Sequence, residues 1–156
     1  MLQIIDDPCF ETFGQPDSKW GLKTHQGVTM QSEVADDTLT LTITGTSGDN
    51  WHAEFKYEPF AVKKGDIYEV SFSAKAKTPF EFSVWLGQKN EPFKSLVAQE
   101  DHYGQTTMLD DWETFTHTWT VEEDEDQARL NFVLGAVDNV IELEDISLLR
   151  IDQMAQ

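Results

Sequence analysis

Disulfide chemistry is all but absent from this chain, whose 156 residues include one cysteine, Cys9. That excludes an intramolecular disulfide framework and the paired-cysteine motifs of metal and redox sites. Positive charge is scarce too, with 11 Lys and Arg against 29 Asp and Glu and a net charge of −18. Nucleic acid and anionic membrane surfaces are therefore excluded as partners, because like charge repels before contact forms. No apolar run approaches the roughly 20 residues of a membrane span, and no basic segment followed by an apolar stretch opens the chain. Helical periodicity is missing as well: no stretch sustains a repeat of about 3.6 residues over three turns. The length suits one domain, residues 1–156, able to bury roughly 68–70% of its extended surface without covalent help. An aromatic share of 12% argues against disorder despite the charge. The expectation is a soluble acidic monomer, or part of a longer secreted chain whose signal lies upstream.

What the sequence does carry is alternation with period two. In Thr38–Thr44, Leu39, Leu41 and Ile43 face one way and four threonines the other, as a half-buried strand requires. Tyr68–Ala76, Phe80–Leu86, Thr114–Val121, Arg129–Leu134 and Ile141–Ile151 repeat the pattern, and weaker strands are expected at Val28–Val34, Trp51–Tyr57 and around Ser95–Gln99. Turn chemistry falls between them at Gly45–Asn50, Lys63–Asp66, Lys77–Pro79 and Gly87–Pro92. The acidic run Glu122–Asp126 reads as a solvated hairpin turn. Strands at this spacing with long connections predict an all-β fold, an antiparallel β-sandwich of jelly-roll type.

Four segments, in order and spanning nearly the whole chain, resemble the carbohydrate-binding modules of the family 4/9/22 group. Asp7-Pro-Cys-Phe-Glu11 with Trp20 is similar to that group's opening motif. Asn50-Trp-His-Ala-Glu-Phe55 leading into Val62–Ala76 is similar to its central one, and Trp112-Glu-Thr-Phe-Thr116 to a third. Ala128–Gly135 followed by Ile141–Leu148 is similar to the closing motif. The resemblance implies a non-catalytic module whose concave sheet forms a cleft for a soluble, neutral β-linked polysaccharide, xylan or a β-glucan. Its task would be to hold an attached glycoside hydrolase near substrate, outside the cell.

A polysaccharide binder needs exposed aromatic planes for the apolar faces of pyranose rings and polar groups for the hydroxyl rims. Trp85 shares its parity with Glu81 and Ser83 rather than with core residues, so it is either a stacking platform or a ring covered by a neighbouring loop. Trp51 precedes a strand on which His52, Glu54 and Lys56 take the outer parity. It resembles a cleft tryptophan of the group and Glu54 a hydroxyl-binding carboxylate, the alternative for Trp51 being the core parity of Ala53 and Phe55. Arg129 and Asn131 share the non-core face of their strand; Arg129 resembles a ligand-contacting arginine or forms a local ion pair. The long segment Gln88–Asp110 is expected to wrap the cleft. Its Phe93 resembles a second stacking aromatic or is a loop anchor, and Tyr103 is a further candidate contact. Trp20, Trp112 and Trp119 fall at framework or core positions.

Glu144 shares the parity of Ile146 and Leu148, which points a carboxylate at the apolar side, where it must be paired or bound to a cation. The resemblance implies a structural Ca²⁺ there, held with Glu11, backbone carbonyls such as that of Cys9, and a carboxylate from Glu33, Asp36 or Asp37. Two enzyme readings stand beside the binding module. His52-Ala-Glu54 has the form of a facial iron triad, with His117 or His102 as distal ligand. Glu54 with Glu81 offers the paired acids of a glycosidase or lyase. A protein-interaction sandwich without sugar binding is the third class. With Glu54 and Glu81 in the cleft, the charge of −18 would disfavour polyuronates.

Overall fold

The computed structural model describes residues 2–46 and 48–151; Ser47 of the expected Gly45–Asn50 turn, Met1 and the C-terminal 152–156 lie outside them. Two antiparallel sheets pack face to face. We label the strands β1 (Leu2–Gln3), β2 (Trp20–Thr24), β3 (Thr29–Ala35), β4 (Thr38–Thr44), β5 (Ala53–Val62), β6 (Ile67–Ala76), β7 (Phe80–Gln88), β8 (Tyr103–Met108), β9 (Glu113–Thr120), β10 (Glu125–Val133) and β11 (Asn139–Ile151). One sheet has the order β3-β4-β11-β6-β9 with β1 on β11, and the other β2-β5-β10-β7-β8. No helix among the described residues is long and apolar enough to cross a membrane.

Alternation places the core between the sheets. Leu39, Leu41 and Ile43 of β4, Tyr68, Val70 and Phe72 of β6, and Phe82, Val84 and Leu86 of β7 are buried, while their neighbours in sequence face out. Phe55, Phe72, Phe82, Phe115 and Phe132 interlock across the interior with ring centroids 5.1–6.0 Å apart. Trp20 closes one end: its ring stacks on Phe55 at 5.0 Å and its Nε1–H donates to the Asp7 carbonyl at 2.9 Å. The Asp7 carboxylate in turn accepts the Glu11 and Thr12 N–H groups at 2.8 and 2.9 Å and the Thr12 hydroxyl at 2.6 Å. The N-terminal motif is thus a knot that seats the first loop on the core. Trp119 is also buried, but Trp112 is exposed, with the Lys75 ammonium 5.4 Å from its ring centre, and is no part of the framework core.

Several expectations need correction. The acidic run is not a hairpin: Glu125 and Asp126 begin β10, and Glu122–Asp124 carries the chain from one sheet to the other. Its charges are met by Lys94, 2.6 Å from Glu123, and by the Lys64 N–H on Asp124. Ser95–Gln99 forms no named strand, only single bridges from Ser95 to Gly87 and from Val97 to Val121. The parity of Glu144 breaks at a bulge: Glu144 pairs with Ser73 but Ser147 with Ser71, and Asp145 takes a φ of 55°. Leu143 and Ile146 both point inward, and Glu144 stands half-buried on the outer face, accepting the Thr38 hydroxyl at 2.9 Å.

Candidate functional site

Register writes the outer face of the β2-β5-β10-β7-β8 sheet as rows across its strands. One row runs Lys23, Glu54, Val133, Ser83; the next runs Gly21, Lys56, Asn131, Trp85; Arg129 and Gly87 pair beyond them. Long and aromatic side chains crowd this face so closely that its polar floor is buried. Asn131 is 0%, Arg129 4% and Glu54 9% exposed, although all three point away from the core.

The floor is wired together. Asn131 Nδ2 donates to Glu54 Oε2 at 3.0 Å, and His25 Nε2 lies 3.6 Å from Glu54 Oε1. Because Nδ2 faces Glu54, the Asn131 amide presents its oxygen elsewhere, and Oδ1 is buried with no partner among the described residues. Arg129 Nε lies 2.9 Å from Glu58 Oε1, an ion pair without hydrogen-bond alignment, and its Nη2 donates to the Lys89 carbonyl at 3.0 Å. Lys56 Nζ takes the other Glu58 oxygen at 3.4 Å.

Three aromatic rings stand over this floor. Trp51 escapes strand parity because Asn50–His52 is a 3₁₀ turn ahead of β5; its indole is 49% exposed and braced by His25 at 5.0 Å and His52 at 4.2 Å. Trp85 is half-buried on the parity that alternation assigned, and its six-membered ring lies directly over Gly87, where a Cβ would sit 1.9 Å from Cζ3. Phe93 is 40% exposed at the tip of the loop after β7, with a φ of 56°, its N–H donating to the Asn90 carbonyl. Its ring faces Arg129 at 5.5 Å and Lys23 at 5.9 Å, a pair of cation–π contacts. Gln88 holds that loop, donating to Glu125 and accepting the Lys94 N–H.

Trp85 and Phe93 divide the groove into two halves. One, of about 200 Å³, is lined by Lys23, His25, Trp51, Glu54 and Arg129. The other, of about 370 Å³, is lined by Ser83, Ser95, His102 and Tyr103. Tyr103 also packs flat on His117, ring centres 4.5 Å apart, and burial together with the Glu113 carboxylate pushes its phenol up to about 12. Seven of the eight expected sugar contacts therefore line or floor one groove. His52 is the exception: it is buried behind Trp51, with Nε2 3.7 Å from Asp49. Sequence reasoning missed Lys23 and His25, since β2 is a short strand interrupted by Gly21, and Gly87 carried no signal beyond a turn.

The rival chemistries are not assembled. His117 donates through Nε2 to the carbonyl of Asp101, in the 3₁₀ turn before β8, and Glu81 lines a separate depression with Asp49 and Asn50. No three His, Cys, Asp or Glu among the described residues are grouped to hold a metal ion. Of the donors expected for calcium, Glu11 is exposed, Glu144 bonds Thr38, and Asp36 and Asp37 form the left-handed two-residue turn between β3 and β4. Burial, and after it the carboxylates of Asp37, Glu11, Asp145 and Asp7, push the Cys9 thiol up, which marks a negative end of the sandwich.

A β-sandwich with an aromatic-walled, hydrogen-bonding groove on one sheet belongs to a class of architecture suited to holding sugars. The model of the family described as Carbohydrate binding domain (CBM_4_9) matches residues 4–140, and the chain belongs to that family, whose domains bind polysaccharide and are generally non-catalytic. A solved CBM4 structure is similar at 25% identity, over 94% of this chain and 99% of that one, with a TM-score of 0.81. The second N-terminal cellulose-binding domain of Cellulomonas fimi β-1,4-glucanase C shares 21% identity over 92% and 90%, TM-score 0.68. The CBM22-1 xylan-binding domain of Paenibacillus barcinonensis Xyn10C shares 14% over 85% and 86%, TM-score 0.56. The curated proteins yield no match.

Proposed function

We propose that the groove binds a soluble β-linked polysaccharide with a neutral main chain, xylan or a β-glucan, and that the domain holds an attached glycoside hydrolase against it in a secreted protein. The observation that carries the reading is Asn131 Oδ1: a fully buried acceptor without a partner among the described residues, beneath Trp85 and beside Glu54. A buried unmade hydrogen bond costs about 1–3 kcal/mol, and a sugar hydroxyl reaching the floor would make it. Trp51 and Trp85 would take the apolar faces of successive rings, while Glu54, Arg129 and the hydroxyls around Tyr103 take the rims. A few stacks and wet hydrogen bonds must offset the ordering of both partners, so affinity is modest. Tethering supplies the rest by raising effective concentration.

Affinity electrophoresis against xylan, barley β-glucan, laminarin and hydroxyethylcellulose tests this. The expected result is retardation in at least one gel, lost in Trp51→Ala and Trp85→Ala at unchanged far-UV circular dichroism. Folded protein that runs freely through all four gels would overturn the reading.

A further inference from the structure

Among the residues lining the two halves of the groove, Glu54 is the sole carboxylate, in a chain that has 29. It is committed to Asn131 and His25. Lys23 is its register neighbour, yet the Lys23 ammonium makes no ion pair among the described residues and hangs over Phe93. Arg129 spends Nε on Glu58 and Nη2 on a carbonyl, leaving its other terminal nitrogen without an acceptor among the described residues. Glu58 serves Lys56 as well, so three cations share two carboxylates on this face. Burial lowers the Lys56 pKa, Glu58 works against that, and the charges of Arg129 and Lys23 add to the lowering. A protein of charge −18 has thus kept its acids out of the groove and left a local excess of positive charge there.

We infer that the groove favours β-glycans whose neutral main chain bears acidic branches, a uronic acid carboxylate seating against Lys23 and the open edge of Arg129 beside Phe93. A planar guanidinium matches a carboxylate in shape and donor geometry. The outer acids do not forbid this. Glu142, Glu144 and Glu69 lie on the other sheet, and at physiological salt their field decays over about 8 Å. Placing Glu81 in a separate depression removes the second groove carboxylate that the sequence suggested.

The inference rests on the groove being a sugar site, and the test separates the two. Two matched pairs are titrated calorimetrically: glucuronic-acid-bearing xylan against the same polymer after carboxyl reduction, and barley β-glucan against its lightly C6-oxidised form. The acidic member of whichever pair binds should bind about fivefold tighter at low salt. The gap should close at high salt, and the ratio should fall toward one in Lys23→Gln. Equal or weaker binding of the acidic member at low salt overturns the inference while leaving the sugar site standing. A preference unchanged in Lys23→Gln overturns its assignment to this cation pair. Folded protein that binds neither pair overturns the sugar-binding reading and this inference with it.

Discussion

Gly87→Ala should abolish the Trp85 platform without touching any group that bonds a ligand. The added methyl would lie 1.9 Å from Trp85 Cζ3, 2.4 Å from Cε3 and 3.0 Å from the Lys94 carbonyl oxygen. Non-bonded carbons settle at about 3.5–4 Å, so the ring must retreat by roughly 1.6 Å or more and cannot stay flat over residue 87. Because Trp85 is half-buried on an open face, it can swing outward. Stability should therefore change by no more than about 1–2 kcal/mol, the strain being partly offset by the lower chain entropy of alanine. Affinity should lose a stacking contact of about 1–1.5 kcal/mol, roughly five- to tenfold. Calorimetric titration of wild type, Gly87→Ala, Trp85→Ala and the double variant forms a cycle. The double variant should bind like Trp85→Ala alone, since the alanine acts only through the indole. Wild-type affinity in Gly87→Ala, or additive losses in the double variant, would refute the reasoning.

Three further outcomes follow from the packing around the N-terminal motif. Trp20→Leu removes the stack on Phe55 and leaves the Asp7 carbonyl without its indole donor, so a urea melt should show a loss of about 3–4 kcal/mol; a loss under about 1 kcal/mol would contradict the anchoring role. Burial raises the Asp7 pKa, but hydrogen bonds from Thr12 and Glu11 outweigh it and hold it below the ordinary 3.8. A depressed carboxylate stabilises the fold above its unfolded pKa and loses that contribution as pH falls through the folded one. Asp7→Asn should thus lower the Tm at neutral pH by a gap that shrinks below about pH 4, and a gap that holds or widens in acid would count against this. EDTA and added Ca²⁺ should leave the Tm unchanged, because no three His, Cys, Asp or Glu among the described residues are grouped to hold a metal ion; a calcium-dependent rise would show that such a site forms.

Alternation is a sound guide wherever the hydrogen-bond ladder runs unbroken. It puts Phe82, Val84 and Leu86 inside, and parity alone therefore assigns Trp85 to the outer face. It fails where something other than a strand sets direction. The 3₁₀ turn at Asn50–His52 rotates Trp51 into the groove and His52 behind it, although both read as part of β5 in the sequence. The bulge after Glu144 inserts residues that reverse the parity read backward from Ile146. The edge strands β2 and β8 leave no alternation to read, because Trp20–Thr24 and Tyr103–Met108 each contain a glycine and bury little on one side. Both edges flank the groove, so their weak pattern hid Lys23 and the groove side of Gly104.

Alternation also equates the outer face with a wet face, and here the two part company. Asn131 and Arg129 point away from the core yet are as buried as core residues, with Trp85 beside Asn131 in register and the Phe93 ring against Arg129. An unpartnered buried atom is not itself the mark of a site: Trp119 Nε1 has no partner among the described residues either. That indole is sealed between the sheets, where no ligand can reach, and its cost is borne by the packing around it. Asn131 Oδ1 carries the same kind of deficit under a roof of side chains rather than a second sheet. Side chains can shift where a sheet cannot, so this deficit, unlike that of Trp119, can be made good by something arriving from outside. The second sheet of the sandwich shows no equivalent floor among the described residues; its outward rows carry Ser and Thr with Glu69, Glu144 and the ion-paired Lys75 and Glu142.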